Sequence, residues 1–251
     1  MAEHIVLAEM TWPEVLGATE DKKTVALVPL GATEAHGPHL PLATATYLAI
    51  DAAKRGARRL KTHGVRAIVF PNISYSVCER AGDFPGTLSL SRVTAVAFLK
   101  DVALAAAKNF RAVAFVNTHL DPAHLEVLKQ VTDESKKAGL SVCFVDLTRK
   151  RWAQQLGDVF LKGDHAGTFD TSAMMALNLP LVREHERISI PPMEGLVASM
   201  KKGGKTFKEA GGEDAYFGDP GAATIEDGET ILETLAEICS ISVMEHLASK
   251  S

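Results

Sequence analysis

Apolar residues fall along the chain in two rhythms. Four short runs are apolar almost throughout: Thr24–Leu30 (TVALVPL), Val65–Phe70 (VRAIVF), Ala112–Asn117 (AVAFVN) and Leu140–Asp146 (LSVCFVD). Each has the length of a strand, and apolar residues at successive positions suit a strand covered on both faces. Between them, Thr46–Lys61, Ser91–Asn109 and Asp121–Ala138 are rich in Ala, Leu, Lys and Glu and stop near Gly64, Asn109–Arg111 and Gly139. Those are helix compositions with helix stops. Strand and helix alternating in this way predict an α/β layered sandwich with a mainly parallel sheet.

The pattern becomes irregular after about residue 150. A Gly- and charge-rich stretch runs from Lys201 to Gly221, and a final helix is predicted from about Gly228 to Ala248. The irregular stretch reads as a functional or oligomer-contacting loop, so residues 1–251 are expected to form a single domain. With 46% hydrophobic and 23% charged residues, a chain of 251 can bury a substantial core. The net charge of −4 is dispersed, which excludes the basic footprint of a nucleic-acid binder and favours a small, weakly charged or neutral partner. No run approaches the roughly 18 apolar residues of a membrane span, and the first residues do not resemble a signal peptide. Cys78, Cys143 and Cys239 are scattered, forming neither a disulfide framework nor a CxxC zinc pattern, so a cytoplasmic setting is expected.

In parallel α/β sheets, ligands bind beyond the carboxyl ends of strands. After the first run comes Gly31-Ala32-Thr33-Glu34-Ala35-His36-Gly37-Pro38-His39, and after the third Asn117-Thr118-His119-Leu120-Asp121. One histidine after a strand is more often a hydrogen-bonded loop residue than a ligand; two such clusters at two strand ends reverse that expectation. Imidazole and carboxylate together suit Zn²⁺, Mn²⁺ or a similar ion. Asp121 has a second reading, because Asp followed by Pro122 and an apolar helical pattern is an N-cap with Pro at N1. His124 is expected only near the site. In Gly163-Asp164-His165-Ala166-Gly167-Thr168-Phe169-Asp170-Thr171-Ser172, His165 could polarise a substrate oxygen or shuttle a proton with Asp170 orienting it, or Asp170 could simply begin a helix. Cys78, in Tyr75-Ser76-Val77-Cys78, is a conceivable nucleophile, although a lone cysteine is usually packing. No Gly-x-Ser-x-Gly elbow, Walker loop or Gly-x-Gly-x-x-Gly follows a strand.

The string from Gly31 to Leu42 closely resembles the creatininase-family signature Gly-Ser/Thr-x-Glu-Gln-His-Gly-Pro-His-Leu-Pro. Asp83-Phe84-Pro85-Gly86-Thr87-Leu88-Ser89-Leu90, His165-Ala166-Gly167 with Thr171-Ser172, and Gly218-Asp219-Pro220 with Ala223-Thr224 agree in order and spacing. The resemblance implies a three-layer α/β/α sandwich, commonly a homo-oligomer assembled as a hexamer, that hydrolyses C–N bonds of cyclic or linear amides with one or two divalent ions. By position, Glu34, His36 and His119 match metal ligands, and Asp121 stands where creatininase itself has a glutamate ligand. His165 matches a substrate-contacting histidine, and Asp170 stands at the Glu of Glu-Thr-Ser. Substrate contacts are also expected from His39, Ser76 and Cys78.

The chain departs from the family where Leu-Pro-Leu-Gly-Thr-Asp would supply an aspartate bridging two metals: the segment reads Leu42-Ala43-Thr44-Ala45, and alanine has no donor atom. Asp51 falls more than a helical turn further on. A bridging carboxylate makes close pairing of two cations tolerable, so one ion, Zn or Mn, is expected in place of two. The expectation is a metal-dependent hydrolase of a small cyclic or linear amide. Hydrolytic ring opening or deformylation on the same scaffold, and a metal-free relative that binds a small molecule, are the alternatives.

Overall fold

The computed structural model describes residues 5–249. Its sheet consists of β1 (Val25–Leu30), β2 (Ala67–Val69), β3 (Ala112–Asn117) and β4 (Val142–Phe144), in the order β2-β1-β3-β4. Every pairing is parallel; Val25 lies opposite Ala67 on one side and Ala112 on the other, and Val113 lies opposite Val142. The helices are α1 (Trp12–Thr19), α2 (Thr44–Thr62), α3 (Arg92–Ala107), α4 (Pro122–Lys137), α5 (Lys150–Leu156), α6 (Asp158–Leu161), α7 (Thr168–Asn178), α8 (Glu184–Ser189), α9 (Leu196–Lys201) and α10 (Ile225–Ala248). None of the described helices is long and apolar enough to cross a membrane.

All six residues of β1 and of β3 are buried, and their side chains alternate between two cores as strand geometry demands. Val25, Leu27, Ala112, Ala114 and Val116 pack with Leu48 and Leu60 of α2, Phe169 and Met174 of α7, and Leu232 and Ile238 of α10. Ala26, Val28, Leu30, Val113 and Phe115 face the other way, toward Leu99 of α3 and Val127 and Leu128 of α4. This is the three-layer sandwich read from the uninterrupted apolar runs. β2 and β4 are shorter than the runs that predicted them, because the ladder holds only three residues of each.

The region after residue 150 contains more helix than its irregular pattern suggested, in short pieces broken by Gly and Pro. Lys201–Gly221 is mostly turns, yet it is pinned to the body. His165 and Phe217 exchange backbone hydrogen bonds at 3.0 and 2.8 Å, and so do Met193 and Gly218. Phe207, Ala215 and Phe217 form a small apolar cluster with Ala35 and Leu196. The stretch thus lies over the exit of β1.

Helix α2 begins two residues before its predicted start, with the Thr44 hydroxyl donating to Pro41 O at 2.7 Å, and this brings its first turn against the end of β1. Only a glycine at position 31 allows that approach: a Cβ there would lie 2.4 Å from Thr46 N and 2.5 Å from Thr46 Cα, both backbone atoms. Gly31→Ala is therefore expected to lower stability by at least the ~1–3 kcal/mol of core overpacking, measured as a shift of the urea midpoint at constant slope.

Candidate functional site

The exits of β1 and β3 are adjacent, so Glu34, four residues beyond β1, meets His119, two residues beyond β3. Both are buried, and Glu34 Oε1 lies 2.9 Å from His119 Nδ1. His119 Nε2 lies 2.8 Å from Val77 O, which can only accept, so that nitrogen carries a proton and Nδ1 faces the carboxylate. On the other side of Glu34, His36 places Nε2 3.8 Å from Oε1. Its Nδ1 is 3.1 Å from Glu34 O, again an acceptor, which leaves the Nε2 lone pair turned toward the carboxylate. Each imidazole thus has one nitrogen fixed on a backbone carbonyl and the other aimed at Glu34, the way an acceptor behind the ring orients a metal-ligating histidine.

The electrostatics follow from this contact. Burial alone would raise the Glu34 carboxyl, but the charge and hydrogen bond of His119, with His36 and His165 behind them, hold it well below the usual range. Burial likewise opposes charging His119, and Glu34 overcomes it, raising that imidazole well above its ordinary value. A positive charge therefore belongs between Nδ1 and Oε1, whether proton or metal ion. Among the described residues, two sets of ligand atoms fall within 4.8 Å of one another: Glu34 with His36 and His165, and Glu34 with His119 and Cys78. Glu34 belongs to both.

A profile of the family described as creatinine amidohydrolase matches residues 8–241. The chain belongs to the creatininase family. Among curated relatives, the mycofactocin precursor peptide peptidase of Mycolicibacterium smegmatis is 28% identical over 92% of this chain and 91% of its own length. That of Mycobacterium tuberculosis (strain ATCC 25618 / H37Rv) is 30% identical over 85% and 82%. The creatinine amidohydrolase of Pseudomonas putida is 27% identical over 77% of this chain and 82% of its own length. Solved creatininases share the fold: a manganese form superposes with a TM-score of 0.71 at 24% identity, and a mutant of Zn-Zn type with 0.73 at 23%, each match covering 97% of this chain and 98% of the other. The family consists of metal-dependent hydrolases, and the relatives are a peptidase and an amidohydrolase.

Against that family pattern, the departure at Ala45 is structural as well as sequential. Ala45 lies in the first turn of α2, and its side chain forms part of the wall of a cavity of about 60 Å³ shared with Glu34, His36, Asp164, His165 and Asp170. A second cavity of about 70 Å³ adjoins it, with Arg80, His119, Asp121, Leu196 and Phe207 in its wall. Asp51 does not reach either: its carboxylate lies 2.8 Å from Arg55 Nε, one turn along α2.

Several expected site residues have other partners. Asp121 caps α4, Oδ1 accepting from Ala123 N and Oδ2 from Arg80 N, both at 2.9 Å; it borders the second cavity and joins neither ligand set. His39 is wholly buried with Nε2 2.9 Å from Thr171 Oγ1, and Ser76 Oγ lies 2.5 Å from His124 Nδ1, so neither faces the cavities and the substrate contacts expected of them do not fit. Asp170 does not orient His165; its Oδ2 accepts from Ala166 N at 2.8 Å. His165 is held by Ala35 O, 3.0 Å from Nε2, and by ring contacts with His36 at 4.4 Å and Phe207 at 4.3 Å. Its free nitrogen, Nδ1, is therefore an acceptor, and the donor needed to polarise a substrate oxygen is already engaged. Burial, helped by His36, pushes its pKa down to about 3, so the ring is neutral.

Other site features had little or no sequence signal. Asn117 Oδ1 accepts from His119 N at 3.2 Å and from His124 Nε2 at 2.9 Å, while its Nδ2 donates to His119 O at 2.9 Å; this clamp fixes the loop that carries His119. Its place at the strand end was the only clue. Asp164 lines the first cavity together with Asp170, and burial followed by the Asp170 charge pushes its carboxyl up to about 8. Leu196 and Phe207 come from the irregular region, where no periodicity points inward.

The buried histidines give a pH signature. Burial and then the His36 charge push His39 down to about 4, whereas an unfolded histidine titrates near 6.5. Between those values the unfolded chain binds the extra proton, so stability falls as pH drops from about 6.5 to about 4 and levels off below, by up to ~3 kcal/mol for this residue. Urea titrations at several pH values should show that slope, and His39→Asn should flatten it.

Proposed function

We propose that the enzyme hydrolyses a C–N bond of a small cyclic or linear amide, using one divalent ion, zinc or manganese, held at Glu34. The geometry supporting this is the buried carboxylate with imidazole nitrogens 2.9 and 3.8 Å away and the outer nitrogens of both rings bonded to backbone carbonyls. That donor set fits a divalent ion in kind and in orientation. A peptidase and an amidohydrolase, as the relatives are named, both cut a carbon–nitrogen bond, which supports the reaction class. A bound ion supplies Lewis acidity, activating water and polarising a carbonyl.

The chain's own residues divide the proton traffic. His165, kept neutral because burial pushes its pKa down to about 3, offers Nδ1 as a hydrogen-bond acceptor that can orient water or a substrate N–H without taking the proton. Asp164, with its carboxyl pushed up to about 8 by burial and Asp170, keeps its proton at neutral pH and can deliver it to a leaving amine. Phe207 and Leu196 form part of the wall of the second cavity, and cavities of about 60 and 70 Å³ hold only a few waters' volume, so a larger substrate needs wall side chains to move aside.

Ala45 favours a second reading, a metal-free relative that binds a small molecule. Metal analysis by mass spectrometry separates the two. Under replete conditions the purified enzyme should carry close to one ion per chain and Glu34→Ala almost none, while Ala45→Asp should raise the stoichiometry; absence of metal from the native enzyme removes the hydrolytic reading. The acid role of Asp164 is tested by kcat/KM, which should decline as pH rises through about 8. Asp164→Asn should lose ~10²- to 10⁴-fold in rate together with that limb of the profile. A homo-oligomer, hexameric by resemblance, belongs to the same proposal, and sedimentation showing a monomer would remove that part.

A further inference from the structure

Cys78 has no part in the chemistry above, yet it is one of the three residues whose ligand atoms converge with Glu34 and His119. Its side chain is fully buried, and Sγ lies 3.7 Å from the His119 ring at Nε2; because Val77 O already holds that nitrogen, it is Nδ1, on the Glu34 side, that would bind a shared ion. Its backbone N–H is fixed on Ser89 Oγ at 2.9 Å, in the same loop whose Val77 carbonyl orients His119 and whose Arg80 N–H is held by Asp121. The loop thus carries the sulfur to the ligand pair by three separate hydrogen bonds. Cys143 lies on β4 and Cys239 on α10, outside either ligand set.

Charge gives this convergence a meaning. A divalent ion in a buried site is best neutralised by two anionic donors, because uncompensated charge away from water is costly. Glu34 supplies one. The second would be expected from position 45, and Ala45 puts a methyl group in that wall. A thiol that ionises on coordination restores the count, its proton passing to solvent as the ion binds. Sulfur also alters the preference of the site: thiolate, imidazole and one carboxylate favour Zn²⁺ over the harder Mn²⁺ or Mg²⁺.

We propose that Cys78 is a metal ligand, binding a single zinc ion as thiolate together with Glu34 and His119, with the fourth position open toward His36 and His165. This rests on the metal-dependent reading above and makes it specific in donor set and metal. His36 then borders the open position and is not an obligatory ligand.

Cobalt(II) serves as a spectroscopic probe for the zinc site. Titration of metal-free enzyme with Co²⁺ alone should reach one equivalent with the visible bands of a four-coordinate ion and a near-ultraviolet sulfur-to-cobalt charge-transfer band. Cys78→Ser should abolish the charge-transfer band and weaken Zn²⁺ binding by at least ~100-fold, the upper end of what losing even an outer-shell partner costs. Mn²⁺ affinity should change little, and Cys143→Ser should leave the band intact. Visible bands without the sulfur band in the native enzyme overturn the thiolate ligand and leave the metal-dependent hydrolase standing. The native spectrum decides this even where Cys78→Ser folds poorly. Failure of Co²⁺ and Zn²⁺ to bind at all overturns both.

Discussion

A carboxylate with almost no access to water sits at the end of the central strand, and much of the surrounding structure serves to keep it ionised. Desolvation alone would drive Glu34 to its neutral form; the imidazole 2.9 Å away prevents that. The contact depends on two distant segments arriving side by side, which the parallel pairing of β1 with β3 over all six residues secures. It depends also on Gly31, since the first turn of α2 packs against the same strand exit. The fold thus prepares a position between carboxylate and imidazole that suits a positive charge.

The rings around Glu34 are oriented by main-chain carbonyls, not by other acids. Val77 O holds His119, Glu34 O holds His36 and Ala35 O holds His165. Backbone acceptors do not titrate, so these contacts persist as pH changes, and in His119 and His36 the remaining nitrogen faces Glu34. Behind them, Asn117 and His124 secure the His119 loop, with Ser76 closing the chain of hydrogen bonds. These bonds hold the inner side of the site, and its outer side is formed by Leu196, at the start of α9, and Phe207, whose backbone N–H donates to Arg80 O at 2.9 Å.

Much of the fold was legible because uninterrupted apolar runs leave few alternatives: β1 and β3, buried on both faces, had to lie inside a covered parallel sheet. The ligand-type residues were legible for a related reason, since strand exits on one edge of such a sheet are neighbours whatever the intervening sequence. Boundaries slipped where few pairs held a strand, as in β2 and β4, and the helices after residue 150 were obscured by frequent Gly and Pro.

Sequence alone thus determined the layered α/β architecture, the family, the meeting of Glu34 with His36 and His119, and the missing donor at position 45. Tertiary structure decided what those residues can do. It turned the bound nitrogen of His165 to Ala35 O, tied Asp170 to Ala166 N, took both oxygens of Asp121 for backbone N–H groups, and carried Cys78 toward His119. The reason is physical. Hydrophobic period and strand order are written locally along the chain, whereas the direction of a hydrogen bond and the convergence of ligand atoms depend on backbone groups from segments far apart in sequence, whose positions exist only once the layers have packed.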